Sequence, residues 1–404
     1  MRIAVIGGGA AGFFSAIAAK ENHPNSHVVI YEKSQKVLSK VKVSGGGRCN
    51  VTNGTTSISE LAKGYPRGEK QLKKAFSQFN TKHTWEWFEA RGVELYTQDD
   101  NRVFPKSNNS QTIVDCLFGE TERLGIDIQM GLGINSIKTI ENQLELTFLG
   151  DKQKPRTFDK VIIATGGSPN RKGFDWLESL GHKIEEPVPS LFTFNMPSES
   201  IKELMGVSVP NALVSVQGTK LKSDGPLLIT HWGMSGPAIL KLSAFGARIL
   251  SDLDYNFGIQ VNWIGEANNE LVLNELKEVI VSNPNKILGN VKPFALPERM
   301  WLYLLSRCEL SSSKKWNELG KKGLNKLVNT LTNDVYQVKG KTTFKEEFVT
   351  CGGISMENVN FKTMESRACP NLYFAGEVLD VDGITGGYNF QAAWTTGFIA
   401  GKLG

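Results

Sequence analysis

The first 32 residues follow the hydrophobic pattern of a βαβ unit. Residues 2–6 form a short apolar run that predicts a buried strand, and residues 10–21 are rich in alanine and predict a helix. Residues 28–32 predict a second strand after a polar turn. This order of elements is typical of an α/β domain built on a parallel sheet.

Later segments extend the same domain. The C-terminal part again predicts a strand followed by a helix, so we expect a discontinuous first domain made of residues 1–190 and 345–404. The predicted elements are helices at 71–91, 110–124 and 390–403 and strands at 133–140, 144–148, 160–164 and 371–374. The first of these helices carries four aromatic residues that we expect in the core, namely Phe76, Phe79, Trp85 and Phe88.

The pattern changes twice in the middle of the chain. Short strands at 212–217, 227–230 and 257–263 predict an inserted β-rich domain. We assign this domain to residues 191–266 and 334–344, and residues 267–333, which return to helical periodicity, to a helical insert. The apolar stripes expected in the insert are Leu271, Leu273, Leu276 and Val279 in one helix and Trp301, Leu302 and Leu305 in another.

The composition is that of an ordinary globular protein. The chain has 404 residues, of which 40% are hydrophobic and 22% charged, and this excludes small disulfide scaffolds and low-complexity chains. Five cysteines without a Cys-x-x-Cys pair fit neither a disulfide framework nor a zinc site, and five scattered histidines predict no metal site. We therefore expect a cytoplasmic protein. No apolar run reaches the length of a membrane span, and a cleaved signal peptide would not need the glycine motif at the N-terminus.

A glycine motif separates the first strand from the first helix. Gly7, Gly9 and Gly12 fit the pattern G-x-G-x-x-G, and Glu32 follows Gly12 by 20 residues at the end of the second strand. This arrangement places a pyrophosphate at the helix N-terminus and a ribose at the acidic side chain. The residues predicted to contact a dinucleotide here are Gly7, Gly9, Ala10, Ala11, Gly12, Glu32 and Lys33.

Three further glycine-rich segments, at 44–53, 164–167 and 375–391, favour FAD over NAD. FAD needs a long groove that distant parts of the chain close, and the helix after the third segment can stabilise negative charge on a reduced flavin. Independent structural turns are the alternative. The residues predicted to contact FAD are Ser44, Gly45, Gly46, Arg48, Cys49, Asn50, Asn53, Ala164, Thr165, Gly166, Gly376, Glu377, Asp380, Gly387, Tyr388, Asn389 and Phe390.

These segments resemble a known family of flavoproteins. The strings Ser-Gly-Gly-Gly-Arg-Cys-Asn-Val-Thr-Asn at 44–53, Thr-His-Trp-Gly-Met-Ser-Gly-Pro at 230–237, Thr-Cys-Gly-Gly-Ile at 350–354 and Gly-Gly-Tyr-Asn at 386–389 are similar to those of BaiN-like, aminoacetone oxidase-like proteins. The resemblance implies a glutathione-reductase-like Rossmann FAD domain, interrupted by a barrel-like β-rich domain and a helical sub-domain. The activities named in this family include aminoacetone oxidation and reduction of enone bile-acid intermediates, so the resemblance implies the cofactor more firmly than the substrate.

Three other side chains are candidates for chemistry. His231 can contact substrate or move a proton, and capping a turn is its equal alternative. Ser235 is expected to cap a helix that begins at Pro237. Cys351, like Cys49, lacks the second cysteine of a disulfide reductase and is expected to be a packing residue.

The leading hypothesis is an FAD-dependent oxidoreductase that uses non-covalent FAD for hydride transfer to or from a small organic substrate. Both NAD(P)H-dependent reduction and oxygen-dependent amine oxidation stay open, because the nearest candidate for a second dinucleotide motif, at 131–136, lacks its final glycine. In the first case NAD(P)H binds only transiently, without a dinucleotide-binding motif of its own. The alternatives are an RNA-modifying flavoprotein acting on tRNA and a non-catalytic flavin-binding protein. Nucleic acid is disfavoured because the basic clusters at 33–42 and 67–74 lack interleaved aromatic residues, and the oligomeric state is left open.

Overall fold

The computed structural model describes residues 1–150, 153–266, 268–342 and 349–404. The chain divides into two compact units, one of Met1–Ser190 with Phe344–Gly404 and one of Leu191–Thr343. The finer division into three domains stays a prediction. The strands are β1 (Arg2–Ile6), β2 (His27–Glu32), β3 (Thr52–Asn53), β4 (Leu95–Thr97), β5 (Arg102–Pro105), β6 (Asp127–Met130), β7 (Ile134–Ile140), β8 (Gln143–Phe148), β9 (Arg156–Phe158), β10 (Lys160–Ile163), β11 (Ile184–Ser190), β12 (Thr193–Asn195), β13 (Ser208–Val216), β14 (Lys222–Ile229), β15 (Gly233–Ser235), β16 (Asn256–Asn262), β17 (Asp334–Lys339), β18 (Lys341–Thr342), β19 (Val349–Ile354), β20 (Val359–Asn360), β21 (Glu365–Ser366) and β22 (Leu372–Phe374). The helices are α1 (Ala10–Asn22), α2 (Ser39–Gly47), α3 (Ile58–Ala62), α4 (Glu69–Ala75), α5 (Thr81–Glu89), α6 (Gln111–Leu124), α7 (Asp175–Glu178), α8 (Pro237–Phe245), α9 (Ala247–Asp252), α10 (Asn269–Ser282), α11 (Glu298–Arg307), α12 (Gly320–Thr332) and α13 (Tyr388–Ala400).

The first unit is built on a seven-stranded sheet in the order β20-β21-β22-β10-β1-β2-β6. The neighbours from β22 to β6 run parallel, which confirms the predicted α/β domain, and the C-terminal strand β22 lies beside β10. The chain therefore returns to its first sheet at its end. The strands predicted at 133–140 and 144–148 form as β7 and β8 and pair antiparallel, and residues 131–136 run into β7 without starting a helix.

Helices α1 and α13 pack closely because small residues line their contact. A Cβ atom at Gly397 would lie 2.9 Å from the Ala11 carbonyl oxygen, and one at Gly401 would lie 2.5 Å from the Ala18 Cβ atom. Larger side chains at these positions would separate the helices. The contact fixes the C-terminal helix against the helix that follows the glycine motif.

The prediction of one long helix over 71–91 is wrong. Two helices, α4 and α5, are separated at residues 76–80, and Asn80 caps the second by accepting hydrogen bonds from Lys82 N and His83 N. Phe76, Phe79 and Phe88 are buried as expected. The break carries Phe76 and Phe79, and these residues share one core with Phe88 of α5.

The second unit has a seven-stranded antiparallel sheet, and the predicted apolar stripes of its helices pack against its core except at Leu271 and Leu302. In α10 the buried residues are Val272 and Leu276, whereas Leu271 is exposed. In α11, Trp301 and Leu305 are buried and the predicted core residue Leu302 is exposed. The helix at Pro237 forms as predicted, but Gly236 precedes it and Ser235 ends β15, so the predicted Ser235 cap is wrong.

Candidate functional site

The carboxyl ends of β1, β2, β10 and β22 lie at one edge of the parallel sheet, and a predicted segment follows or ends each strand. The glycine motif follows β1, Glu32 ends β2, Ala164 follows β10, and Gly376 comes shortly after β22. Ligands of open α/β sheets bind outside the carboxyl ends of the strands. The fold therefore gathers segments from both ends of the chain at the edge where a dinucleotide is expected.

Two glycines of the motif allow close packing, and a third leaves open space. A Cβ atom at Gly7, whose φ is +115°, would lie 2.2 Å from the Ala164 carbonyl oxygen, and one at Gly12 would lie 1.8 Å from the Gly7 oxygen. A Cβ atom at Gly9 would meet nothing within 4 Å. Helix α1 starts after Gly9 with neither a side-chain cap nor an acidic residue in its first turn. The N–H groups of residues 10 and 11 therefore suit a phosphate.

Two backbone amides fix the side chain of Glu32. Gly8 N donates to Oε2 over 2.8 Å, and Ser34 N donates to Oε1 over 2.8 Å. Each carboxylate oxygen keeps a second acceptor position, so the group can still accept a hydrogen bond from a hydroxyl such as that of ribose. Lys33, the next residue, is exposed.

The last residues of α2 depart from helical geometry and expose backbone, because its glycines adopt positive φ angles. Gly45, Gly46 and Gly47 have φ of +59°, +67° and +82°, and a Cβ atom at either of the last two would meet nothing within 4 Å. The Arg48 guanidinium lies over the Phe104 ring, 4.1 Å from its centroid. This stacking holds the cation over an aromatic face beside the open backbone.

The two asparagines of this segment hold a distant turn. In the orientation that satisfies its polar atoms, the Asn50 side chain accepts from Gly387 N over 2.9 Å. Asn53 Nδ2 donates to the Gly386 oxygen over 2.9 Å. The sequence predicted both as direct cofactor donors. Their contacts position the turn that begins α13, and their direct contact with a cofactor stays a prediction.

The Cys49 thiol is buried shortly after α2. Burial raises the pKa of Cys49 from 9.0 to about 12, and the hydrogen bond with Ser44 opposes the rise. The thiol is therefore neutral at physiological pH and lacks the reactivity of a thiolate. This environment agrees with the predicted packing role.

Glu377 links three parts of the site. Its Oε1 accepts from Thr350 N over 2.9 Å, and its Oε2 accepts from Lys40 Nζ over 2.7 Å. Thr350 Oγ1 is buried and has no hydrogen-bond partner within the part of the chain that the structure describes. An unsatisfied buried hydroxyl is costly, so it marks a place where a ligand atom can bind. Neither Thr350 nor Lys40 was predicted as a site residue.

Most of the remaining predicted residues lie in α13 or shortly before it. Asp380 is buried, and the Asn389 side chain exchanges two hydrogen bonds with the backbone of Gly383. Tyr65 OH donates to the Tyr388 carbonyl oxygen over 2.7 Å. Phe390 stacks on a buried tryptophan within α13. The other predicted backbone positions are Thr165, which is exposed, and Gly166 and Gly376, which have positive φ angles of +76° each.

A buried ion pair near this turn was missed by the sequence analysis. Asp382 is fully buried and accepts hydrogen bonds from Nε and Nη2 of Arg67 and from Ser190 Oγ. Burial raises the pKa of Asp382, and the guanidinium and hydroxyl oppose the rise. No spacing rule relates residues this distant in sequence, so only the fold reveals the pair.

His231 lies in the second unit, in the turn between β14 and β15. Its ring is exposed and packs against Trp232 with the ring centroids 3.6 Å apart. The backbones of Thr230 and Gly233 hydrogen-bond to each other across this turn, and the Thr230 hydroxyl also contacts the Gly233 backbone. His231 is not part of these hydrogen bonds. The exposed imidazole is thus accessible, and its catalytic role stays a prediction.

A flavin dinucleotide fits the donors and spaces of the first unit. The uncapped α1 N-terminus and the open backbone at Gly9 suit a pyrophosphate, and Glu32 suits a ribose. The open backbone at 45–47 and the unsatisfied Thr350 hydroxyl suit the remainder of a long ligand. Among the described residues there is no cluster of three or more His, Cys, Asp or Glu that could hold a metal ion. In the same residues no helix combines the length and apolarity needed to cross a membrane.

Comparisons with known proteins cover nearly the whole chain. Residues 1–403 match the family model described as HI0933-like protein Rossmann domain. Ribosomal RNA dihydrouridine synthase of Escherichia coli is 30% identical over 413 residues, which cover 98% of this chain and 96% of that protein. The 3-dehydro-bile acid delta(4,6)-reductase of Clostridium scindens is 26% identical over 410 residues, covering 99% and 98%. A solved structure of 3-ketosteroid delta1-dehydrogenase from Sterolibacterium denitrificans has a TM-score of 0.51 at 11% identity and covers 99% of this chain and 98% of that one, a likeness of fold alone.

Proposed function

The chain belongs to the HI0933-like family of FAD-dependent oxidoreductases, and from this premise we propose that it reduces a carbon–carbon double bond conjugated with a carbonyl group. Dihydrouridine is uridine whose ring double bond, conjugated with a carbonyl, has been saturated. The name of the bile-acid reductase likewise describes reduction of double bonds in a molecule with an oxo group. Both reactions add a hydride and a proton across an electron-poor double bond, and this shared chemistry supports the proposal.

The substrate class that we propose is uracil in ribosomal RNA. The observation that carries this choice is the 30% identity to a ribosomal RNA dihydrouridine synthase along nearly the full length of both chains. A small conjugated enone is the second candidate, supported by the 26% identity to the bile-acid reductase. The sequence favoured a small organic substrate, and the first choice differs from it. The sequence also offered an RNA substrate as an alternative, but that RNA was tRNA and not ribosomal RNA.

FAD supplies reversible two-electron chemistry when it is bound. We propose that the backbone N–H groups of Ala10 and Ala11 bind its pyrophosphate and that Glu32 accepts from its ribose. We assign Asn50 and Asn53 to positioning, because their side chains hold Gly386–Gly387. The Thr350 hydroxyl joins the predicted set as a further donor to the cofactor.

The electrons for this reduction must come from outside the chain, and we propose NAD(P)H as their source. It donates a hydride and leaves as NAD(P)⁺, and water supplies the proton that completes the product. The residues 131–136 lead into a strand, so transient binding without a second dinucleotide motif is the form we propose. His231, exposed on the second unit, is our candidate for substrate contact or proton transfer.

The test uses the purified flavoprotein under anaerobic conditions. NADH or NADPH is added first, followed by deproteinised ribosomal RNA from an E. coli strain that lacks its own ribosomal RNA dihydrouridine synthase. We expect the flavin absorbance to bleach and the digested RNA to contain dihydrouridine by mass spectrometry, and the Gly12→Asp variant, in which a carboxylate would crowd the pyrophosphate site, to yield none. Reduction of a conjugated enone without modified RNA would favour the second candidate. Bleaching only by an amine, with reoxidation by air, would contradict the proposed reaction.

A further inference from the structure

The net positive charge of the chain is concentrated in the part of the helical insert that follows α10. Residues 284–333 contain nine Lys and Arg residues and three Glu residues, a net charge of +6, whereas the whole chain carries +5. The rest of the chain is therefore slightly acidic. A local excess of this kind creates a positive potential that attracts a polyanion.

The acidic residues of this segment leave most of the excess charge uncompensated. Glu298 and Glu309 each pair with one lysine of the segment, and Glu318 accepts a hydrogen bond from the backbone N–H of Lys315. Five lysine side chains have no carboxylate within ion-pair distance in the described part of the chain, and we call them the lysine surface: Lys286, Lys314, Lys315, Lys321 and Lys322. Four of them are exposed, and Lys314 is half-buried.

The backbone brings the lysine surface together. Leu288 N donates to the Lys314 oxygen over 2.8 Å, and Trp316 N donates to the Lys286 oxygen over 3.0 Å, so the two segments run side by side. The last two lysines of the surface follow in the first turn of α12, which begins at Gly320. Charges from separate parts of the insert therefore meet on neighbouring backbone.

Buried tryptophans hold this backbone in place. Trp316 is fully buried and stacks on Trp301 with ring centroids 6.2 Å apart and planes at 14°. Trp301 Nε1 donates to the Leu288 oxygen over 2.7 Å, in the same segment that pairs with Lys314. The surface thus rests on ordered backbone, which lowers the entropy cost of binding a partner.

We propose that the lysine surface binds the phosphate backbone of ribosomal RNA. This inference rests on the proposed function and assigns a part of the chain to holding the RNA outside the flavin site. Lysines act on phosphate as point charges, so they supply affinity and salt dependence without reading sequence. The interleaved aromatic residues of a single-strand RNA motif, whose absence disfavoured nucleic acid, are not needed for backbone contacts of this type.

The test compares two FAD-loaded variants that each lose four positive charges. One carries Lys314→Gln, Lys315→Gln, Lys321→Gln and Lys322→Gln. The matched control carries Lys70→Gln, Lys73→Gln, Lys74→Gln and Lys138→Gln, at exposed lysines of the first unit. Binding to deproteinised E. coli ribosomal RNA is measured over a range of salt concentrations, and flavin absorbance in both variants checks the fold.

We expect the lysine-surface variant to lose at least about tenfold in affinity near 150 mM salt, and the slope of log Kd against log salt to fall by about 3, as removal of four phosphate contacts predicts. The control should lose less than about threefold, since distant charges are screened. Equal losses in both variants, or no loss in the first, would overturn the inference. If wild-type protein still forms dihydrouridine in that case, the proposed function survives. If the wild type does not bind RNA, both the inference and the proposed function are rejected. Lysine-dependent binding to anionic phospholipid vesicles and not to RNA would assign the lysine surface to a different partner.

Discussion

Lys40 Nζ donates a 2.7 Å hydrogen bond to Glu377 Oε2, which ties the segment after β2 to the segment after β22. The other carboxylate oxygen of Glu377 accepts from Thr350 N. Lys40 is 50% exposed and Glu377 only 19%, so water weakens the ion pair more than the backbone contact. The hydrogen bond to Thr350 is therefore the more important of the two.

Substitutions at Glu377 separate these two contacts. Glu377→Gln keeps an acceptor for Thr350 N and should weaken FAD binding less than about threefold, because a partly exposed pair contributes about 0–1 kcal/mol. Glu377→Ala leaves the amide unpaired at a cost of about 1–3 kcal/mol and should weaken FAD binding about tenfold or more. Fluorescence of released FAD measures both affinities, and Lys40→Gln is the matched control for loss of the pair. Equal effects of Gln and Ala would contradict the dominant role of the backbone contact.

Gly12 tests the packing of the glycine motif. Even Gly12→Ala places a Cβ atom 1.8 Å from the Gly7 carbonyl oxygen, so the turn that faces the pyrophosphate must shift. We expect at least about a tenfold loss of FAD affinity, corresponding to about 1.4 kcal/mol. Gly119→Ala is the control, because a Cβ atom there meets nothing within 4 Å on an exposed helix position. Equilibrium dialysis of FAD that finds both variants equal to wild type would refute the packing role.

The α/β domain could be predicted from the sequence because its strands are short apolar runs and its helices follow at regular spacing. The errors are local. The stretch 71–91 has helical aromatic spacing throughout, yet Asn80 offers a cap that competes with continuing the helix. In α10 the predicted core residue Leu276 is buried, but Val272 is buried in place of its neighbour Leu271, which is exposed.

Parts of the site could be located from motifs, whereas their contacts could not. The G-x-G-x-x-G spacing is set by backbone packing within one βαβ unit, so it is visible in sequence. Asn50 and Asn53 look like free donors in sequence, but they bind the turn at Gly386–Gly387. Arg67 and Asp382 pair across the fold, and such long-range contacts leave no local pattern.

Cys49 gives the protein a defined response to alkaline pH. Burial raises the pKa of its thiol from 9.0 to about 12, so the unfolded chain loses this proton at a lower pH than the folded one. The resulting stability is present below pH 9 and is lost as the pH rises from about 9 towards 12. Above pH 9 the free energy of unfolding of the wild type should fall faster with pH than that of Cys49→Ala, by about 1.4 kcal/mol per pH unit. Urea unfolding at each pH measures both free energies. Parallel stability curves from pH 7.5 to 10.5, a range of about three units, would reject this assignment.

Asp334 is the centre of a buried polar network in the second unit. Its Oδ1 accepts from Arg307 Nε over 2.9 Å and from Nη2 over 2.7 Å, and its Oδ2 accepts from Trp263 Nε1 over 3.0 Å and from Tyr336 OH. Arg307 ends α11, so the network connects this helix to Trp263, which directly follows β16, and to Tyr336 in β17. Removing the carboxylate leaves two buried donors and a partly buried guanidinium without their acceptor.

We therefore expect Asp334→Ala to lower the free energy of unfolding by about 3–5 kcal/mol, as for a broken buried ion pair. Glu298→Ala, which removes a pair with Lys292 at an exposed position, should cost about 0–1 kcal/mol and serves as the control. Urea unfolding followed by tryptophan fluorescence measures both, and Trp263 reports directly on the network. Asp334→Asn should fall between them, because it keeps the shape and one acceptor but loses the charge. If Asp334→Ala and Glu298→Ala have the same urea midpoint, the network does not hold α11 on the sheet.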